Sequence, residues 1–186
     1  MSLAARTEAI RRALFAHPEH SLYAVLDGAA FEGLPAVLQR HGVEHVCLLR
    51  GELDPELAQV APYLATVPQE SEFADYLVEQ GWGDYWGLFV RSACDFRTLR
   101  MHLRQLLEVW DPEGTPLYFR FYDPRVFRVF LPTCDDEQLE QIFDDVVEAF
   151  FTEGEDASQL LRFSLGGSGL STSQILVSAT PTVPTE

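Results

Sequence analysis

SLYAVLDGAAFEGLPAVLQRHGVEHVCLL, residues 21–49, decides the fold class. Residues 21–28 form a short apolar run closed by Asp27-Gly28, the pattern of a buried strand and its turn. Phe31, Leu34, Val37 and Leu38 then recur at helical spacing, with Gly42 as the stop. Residues 45–49 are a second apolar strand. Strand, helix and strand within about thirty residues make a βαβ-like unit.

The alternation continues in both directions. Leu3, Ile10, Leu14 and Phe15 give a helical stripe that ends before Pro18. Asp54-Pro55 opens a short helix, and Ser71 caps another that carries Phe73, Tyr76, Leu77 and Val78. Residues 86–90 read as a third strand. Asp95 or Ser92 caps a helix whose apolar face is Phe96, Leu99, Leu103, Leu106, Leu107 and Trp110. Residues 117–122 alternate as a fourth strand, with Leu117, Phe119 and Phe121 on one face and Tyr118, Arg120 and Tyr122 on the other.

Asp123-Pro124 suits a helix start, and Pro132 ends that helix. Thr133 with Asp136 resembles a capping box for a last helix, whose stripe is Leu139, Ile142, Phe143, Val146, Val147, Phe150 and Phe151. The expected fold is a single α/β (α+β) domain, residues 1–163. It has a small mixed sheet of about four strands flanked by helices, and a C-terminal amphipathic helix. Residues 164–186, rich in Gly, Ser and Thr, read as a flexible tail with too little apolar surface to offset ordering entropy.

A chain of 186 residues with 47% hydrophobic composition can bury a substantial core. The formal charge of −16 opposes nucleic acid and anionic membrane as partners. All 13 basic residues are arginine, which pairs carboxylates bidentately and stacks on aromatics. The three cysteines, Cys47, Cys94 and Cys134, are too few and too scattered for a disulfide framework. Neither a signal peptide nor a membrane span is legible, which fits a protein of the bacterial cytoplasm.

No nucleophile–base pair, phosphate loop or metal-ligand spacing stands out, so no catalytic residue, cofactor or metal is expected. Gly42 interrupts the helix that would align His41 and His45 as ligands, and Gly81, Gly83 and Gly87 lack the strand–loop–helix order of a dinucleotide site. Cys134 stands at a helix start, which favours a thiolate, but no His lies near it in sequence. Residues 135–156 hold ten carboxylates and no basic residue, a solvated face or an acidic docking face. Arg97, Arg100 and Arg104 are expected to pair with those acids.

Two segments concentrate aromatics, arginine and turn residues: GWGDYWGLFVRS, residues 81–92, and LYFRFYDPRVFRVFLPTC, residues 117–134. Trp82, Tyr85 and Trp86 suit either a core or lid, or an aromatic anchor patch. The Tyr118–Arg120–Tyr122 face suits a partner segment, or a cover over a buried acid such as Asp84 or Asp123. Arg120, Asp123 and Arg125 are expected to form a structural polar cluster where strand meets helix, and Trp86 and Phe119 to lie in the core. The residues expected at a partner surface are Trp82, Asp84, Tyr85, Trp86, Arg120, Tyr122, Asp123 and Arg125.

YAVLDGA at 23–29, RGELDPELAQVAPYL at 50–64, GWGDYWGLFVRS at 81–92 and FRFYDPRVFRVFLPTC at 119–134 together resemble the effector-adaptor chaperones of type VI secretion. This is the Tap or Tec family, usually encoded between a VgrG spike gene and a toxin gene. Many members continue into a further C-terminal lobe, whereas here a Gly/Ser/Thr-rich stretch follows. The resemblance implies a non-enzymatic cytoplasmic adaptor that binds an effector toxin and loads it onto the C-terminal region of the VgrG spike. Rival readings are an immunity protein masking a toxin, and a small hydrolase using Asp84, Asp123 or Cys134.

Overall fold

The computed structural model describes residues 2–110 and 113–177. Ser2 caps α1 (Leu3–Leu14), and β1 (Ser21–Asp27) follows. Next come α2 (Leu34–His41), β2 (His45–Cys47), α3 (Pro55–Val60), β3 (Pro62–Thr66), α4 (Glu72–Gly81) and β4 (Gly87–Ser92). After α5 (Phe96–Gln105) a small hairpin forms from β5 (Glu108–Trp110) and β6 (Pro116–Tyr118). Then follow α6 (Pro124–Phe130), a 3-10 turn at Leu131–Thr133 and α7 (Asp136–Phe143). The last elements among the described residues are β7 (Ala149–Glu153), β8 (Gln159–Gly166) and β9 (Gly169–Leu176).

Seven of these strands form one sheet in the order β2-β3-β1-β4-β7-β8-β9, every neighbouring pair antiparallel. The βαβ unit read from residues 21–49 is present but split. β3 lies antiparallel between β1 and β2, so those two strands run parallel without touching. β3 was not anticipated, because residues 54–80 mix helix and strand signals.

Helices cover both faces of the sheet. On one side Leu22, Ala24, Leu26 and Phe151 pack with Ile10, Leu34, Leu38, Phe73 and Leu77 from α1, α2 and α4. On the other, Tyr23, Val25, Val90 and Phe150 pack with Leu99, Leu103, Phe127, Leu139 and Phe143 from α5, α6 and α7. A strand covered on both sides needs apolar residues at every position, which is why YAVL in β1 runs without alternation.

Helix starts largely follow the sequence. Asp54, Ser71, Asp95 and Asp123 each accept an N–H of their helix's first turn, and Gly42 ends α2 in the left-handed conformation. The capping box of α7 belongs instead to Asp135 and Gln138, not to Thr133 and Asp136.

Four expectations are corrected. The sheet has seven antiparallel strands rather than about four mixed ones. The helical stripe from Leu139 stops at Phe143. Asp144, at φ 46°, breaks it, and Phe150 and Phe151 stand in β7, one toward each face. Residues 117–122 are not one strand: β6 ends at Tyr118, and Phe121 and Tyr122 are both buried, so the alternation fails there. Trp110 lies in β5 rather than on α5.

Much of the supposed tail is ordered as well. Residues 159–176 form a hairpin around Gly167-Ser168, with the β-branched Thr172 and Ile175 in strand positions that their side chains favour. Residues 178–186 lie outside the described residues. Among the described residues, no helix is long and apolar enough to cross a membrane.

One buried arginine and two half-buried ones tie elements together. Arg91 of β4, almost wholly buried, binds Glu148 through its guanidinium and reaches the Ala13 and Leu14 carbonyls at the end of α1. Arg162 shares Glu148 at 2.8 Å. Burial alone would raise the Glu148 carboxyl, yet the two guanidiniums hold it below the ordinary range. Arg104 donates to the Cys47, Leu48 and Leu49 carbonyls, so it fastens β2 rather than pairing with the acids of residues 135–156. No ion pair joins Arg97 or Arg100 to those acids among the described residues.

Candidate functional site

The site begins where β1 runs out. Asp27 ends an otherwise apolar strand and is 1% exposed. One carboxylate oxygen accepts the Ala29 N–H at 3.0 Å, and the other accepts Arg120 Nη2 at 2.5 Å. Gly28 is required here because a Cβ would sit 2.5 Å from the Gln59 carbonyl oxygen. The DGA turn is therefore pressed against the end of α3, and Ala29 and Ala30 are presented at one end of the sheet.

Arg120 comes from the segment between β6 and α6, where its carbonyl accepts the Asp123 N–H at 3.1 Å. It also lies 3.9 Å from Asp123 and over the Tyr122 ring at 5.9 Å. Asp123, nearly buried, serves twice. Its Oδ1 caps α6 by accepting the Arg125 N–H at 2.9 Å, and both its oxygens bind the Arg125 guanidinium at 3.0 and 2.8 Å. Burial by itself would raise the Asp123 carboxyl, but the Arg125 side chain and backbone hold it below the ordinary carboxylate range. The expected polar cluster is thus formed, and it has one member more than foreseen, Asp27.

The GWGDYWG segment supplies the opposite wall. Gly83 and Tyr85 both have positive φ, at 105° and 56°. That conformation turns their N–H groups toward Glu153 of β7, one to each carboxylate oxygen. Burial pushes the Glu153 carboxyl up, and the two N–H groups offset this only in part. Tyr85 Oη donates to the Glu155 carbonyl, while the Arg125 and Arg128 guanidiniums lie over its ring at 5.3 and 5.6 Å. Arg128 in turn donates to the Glu153 carbonyl at 2.9 Å.

Ala29, Ala30, Asp84, Tyr85, Arg120 and Arg125 consequently line one open cleft. Of the eight residues expected at a partner surface, Asp84, Tyr85, Arg120 and Arg125 meet there, with Asp123 directly beneath. The other three serve the interior. Trp82 is 9% exposed and donates to the Ala157 carbonyl at 2.9 Å. Trp86 is half-buried, stacked on Phe31 with ring centroids 3.7 Å apart, and Tyr122 is buried. Phe119, expected in the core, is half-buried against Phe130 at 4.5 Å.

Residues 22–141 match the model of a family described as Domain of unknown function (DUF4123). The chain belongs to the DUF4123 family. No curated protein and no solved structure matches it. The DUF4123 match starts within β1 and stops within α7, so it takes in every residue lining the cleft and leaves β7, β8 and β9 outside.

Sequence reasoning missed Asp27, Arg128 and Glu153. Asp27 had a signal: a carboxylate closing a largely apolar strand is buried with it and needs a cation or hydrogen-bond donors as partners, and arginine was the candidate. Glu153 had none, since the helical stripe concealed its strand. Two of the three residues of the hydrolase reading fit it poorly. Asp123 is already spanned by Arg125, and burial raises the Cys134 thiol, so its place near a helix start does not favour the thiolate. His41 packs against Phe73 and Tyr76, and His45 Nδ1 faces the Val43 carbonyl at 2.8 Å.

Proposed function

We propose that this DUF4123 chain is a non-enzymatic adaptor that binds a type VI effector toxin and carries it to the VgrG spike. The observation that carries this reading is the cleft. Its guanidiniums are spent on Asp27, Asp123 and the Tyr85 ring, so they are held rigid and half-exposed, at 46% for Arg120 and 58% for Arg125. Fixed arginines beside an aromatic ring suit recognition of a protein surface, where Arg and Tyr carry much of the energy. Of the buried carboxylates, Asp27 and Asp123 are each engaged by a guanidinium, which leaves those two poorly placed to exchange protons.

The test is co-purification with the neighbouring effector and the VgrG C-terminal segment. A three-protein complex that survives gel filtration at micromolar concentration is expected. Failure to recover either partner would end the adaptor reading. Recovery of the toxin alone, with its activity abolished, would favour an immunity protein instead.

A further inference from the structure

The two edges of the seven-stranded sheet are built differently. β2 is three residues long, and Arg104 occupies the carbonyls of residues 47–49 alongside it. Such a short, blocked edge is protected against strand addition. At the opposite edge β9 runs for eight residues, GLSTSQIL, with no charge, no proline and no bulge in its register with β8. Among the described residues no strand pairs with its outer side.

The direction of its free groups follows from the ladder. The Val177 N–H bonds the Ser158 carbonyl at 2.8 Å, continuing the register that opposes Leu176 to Gln159. In an antiparallel pair, bonded and non-bonded positions alternate. Residues 171, 173 and 175 therefore bond β8, while Leu170, Thr172, Gln174 and Leu176 turn their N–H and C=O groups outward. Leu176 is 71% exposed, and Ile175 is partly exposed on the other face of the strand. Donors, acceptors and apolar side chains are thus offered together.

Charge decides between occupants. A second copy would bring another formal −16 against the first, which opposes pairing of like chains. α7 packs against β8 and β9 and exposes Asp136, Glu137 and Glu140. Any strand laid beside β9 would run close to that acidic helix.

We propose that β9 is a strand-addition site for an extended partner segment that carries basic side chains on the face toward α7. The main chain of β9 supplies the hydrogen bonds, and α7 selects the charge. This site is separate from the cleft and stands whether or not the partner is an effector.

The probe is a blocked ten-residue peptide alternating valine and arginine, with a valine–glutamate peptide as its counterpart. Amide hydrogen exchange on the whole chain reads the site. In the free protein the N–H groups of 170, 172, 174 and 176 should exchange rapidly and those of 171, 173 and 175 slowly. The valine–arginine peptide should slow the even-numbered set at least tenfold, and the glutamate peptide should leave it unchanged. Thr172→Pro removes an outward N–H without touching the β8 ladder and should weaken peptide binding roughly tenfold, or 1.4 kcal/mol. Binding without protection of the even-numbered amides would overturn the proposal, as would equal binding of both peptides. Even-numbered amides already protected in a peptide-free dimer would assign the edge to a second copy and overturn it too.

Discussion

The cleft and the β9 edge are the two surfaces on which this chain is least like an ordinary globular protein, and they are opposites. In the cleft the arginines and the buried carboxylates have partners within the chain: Asp27 with Arg120, Asp123 with Arg125, Glu153 with two backbone N–H groups. At β9 the side chains carry no charge and the backbone is what remains open. The residues lining the cleft lie within the DUF4123 match, whereas Glu153 and the whole β9 edge lie outside it. The difference teaches that a preorganised side-chain surface and an adaptable backbone surface sit on one sheet. The first suits a fixed partner, and the second suits one whose sequence varies.

If the cleft is a rigid frame and the hairpin a tolerant one, a methyl group should separate them. Gly87→Ala puts a Cβ 2.0 Å from the Val25 carbonyl oxygen, where β4 meets β1 beneath the cleft, and nothing there can yield. It should cost about 3 kcal/mol or more, or prevent folding. Gly167→Ala, in the β8–β9 turn with open space around it, should change stability by less than about 0.5 kcal/mol. Urea midpoints of the two variants decide this, and equal losses would erase the contrast.

Asp27→Ala is expected next in size. It strands the Ala29 N–H and leaves Arg120 without its closest carboxylate, for a loss of about 2–3 kcal/mol. Asp123 separates capping from charge. Asp123→Asn keeps the cap and should cost about 0.5–1 kcal/mol, because the Arg125 guanidinium is more than half exposed; Asp123→Ala loses both and should cost about 2 kcal/mol. The Asp123 carboxyl is held below its unfolded value. Its contribution is therefore present above the ordinary carboxylate range and disappears as pH falls through the folded value. Denaturation of both variants at neutral pH and at pH 3 should show their deficits shrinking in acid; deficits that grow would contradict the ion pair.

The smallest effect concerns Glu153, and its sign is reversed. Its folded carboxyl titrates above the unfolded one, so its contribution is complete at low pH and is lost as pH rises through the folded value. Wild type should therefore lose ground to Glu153→Gln between pH 4 and pH 7. A parallel pair of stability curves would show that Glu153 does not titrate in that window.

How much of this was legible in the sequence follows the same division. The caps at Asp54, Ser71, Asp95 and Asp123 are local chemistry, set by one side chain and the next turn, and reading them needed no tertiary information. The strands beyond Asp144 depended on what covers them. Phe150 and Phe151 are adjacent and both buried, because β7 is covered on two faces, and that doublet fits a helical stripe equally well. Ser, Thr and Gly in residues 164–176 resemble a linker until β8 provides the ladder that makes them an edge strand. In the cleft, four of eight expected residues line the surface because their motifs end or begin elements at the same end of the sheet. Trp82, Trp86 and Tyr122 do not, since large aromatics near tight turns found neighbours inside.

The central claim is that the arginine cleft recognises an effector. Titration calorimetry of the neighbouring effector against wild type and Arg125→Ala, with melting temperatures recorded for both, tests it most directly. The account predicts that wild type binds and that Arg125→Ala binds at least tenfold more weakly while still folded, a loss of about 1.4 kcal/mol or more. Equal affinity of the two proteins for the effector, or no binding by wild type, would contradict it.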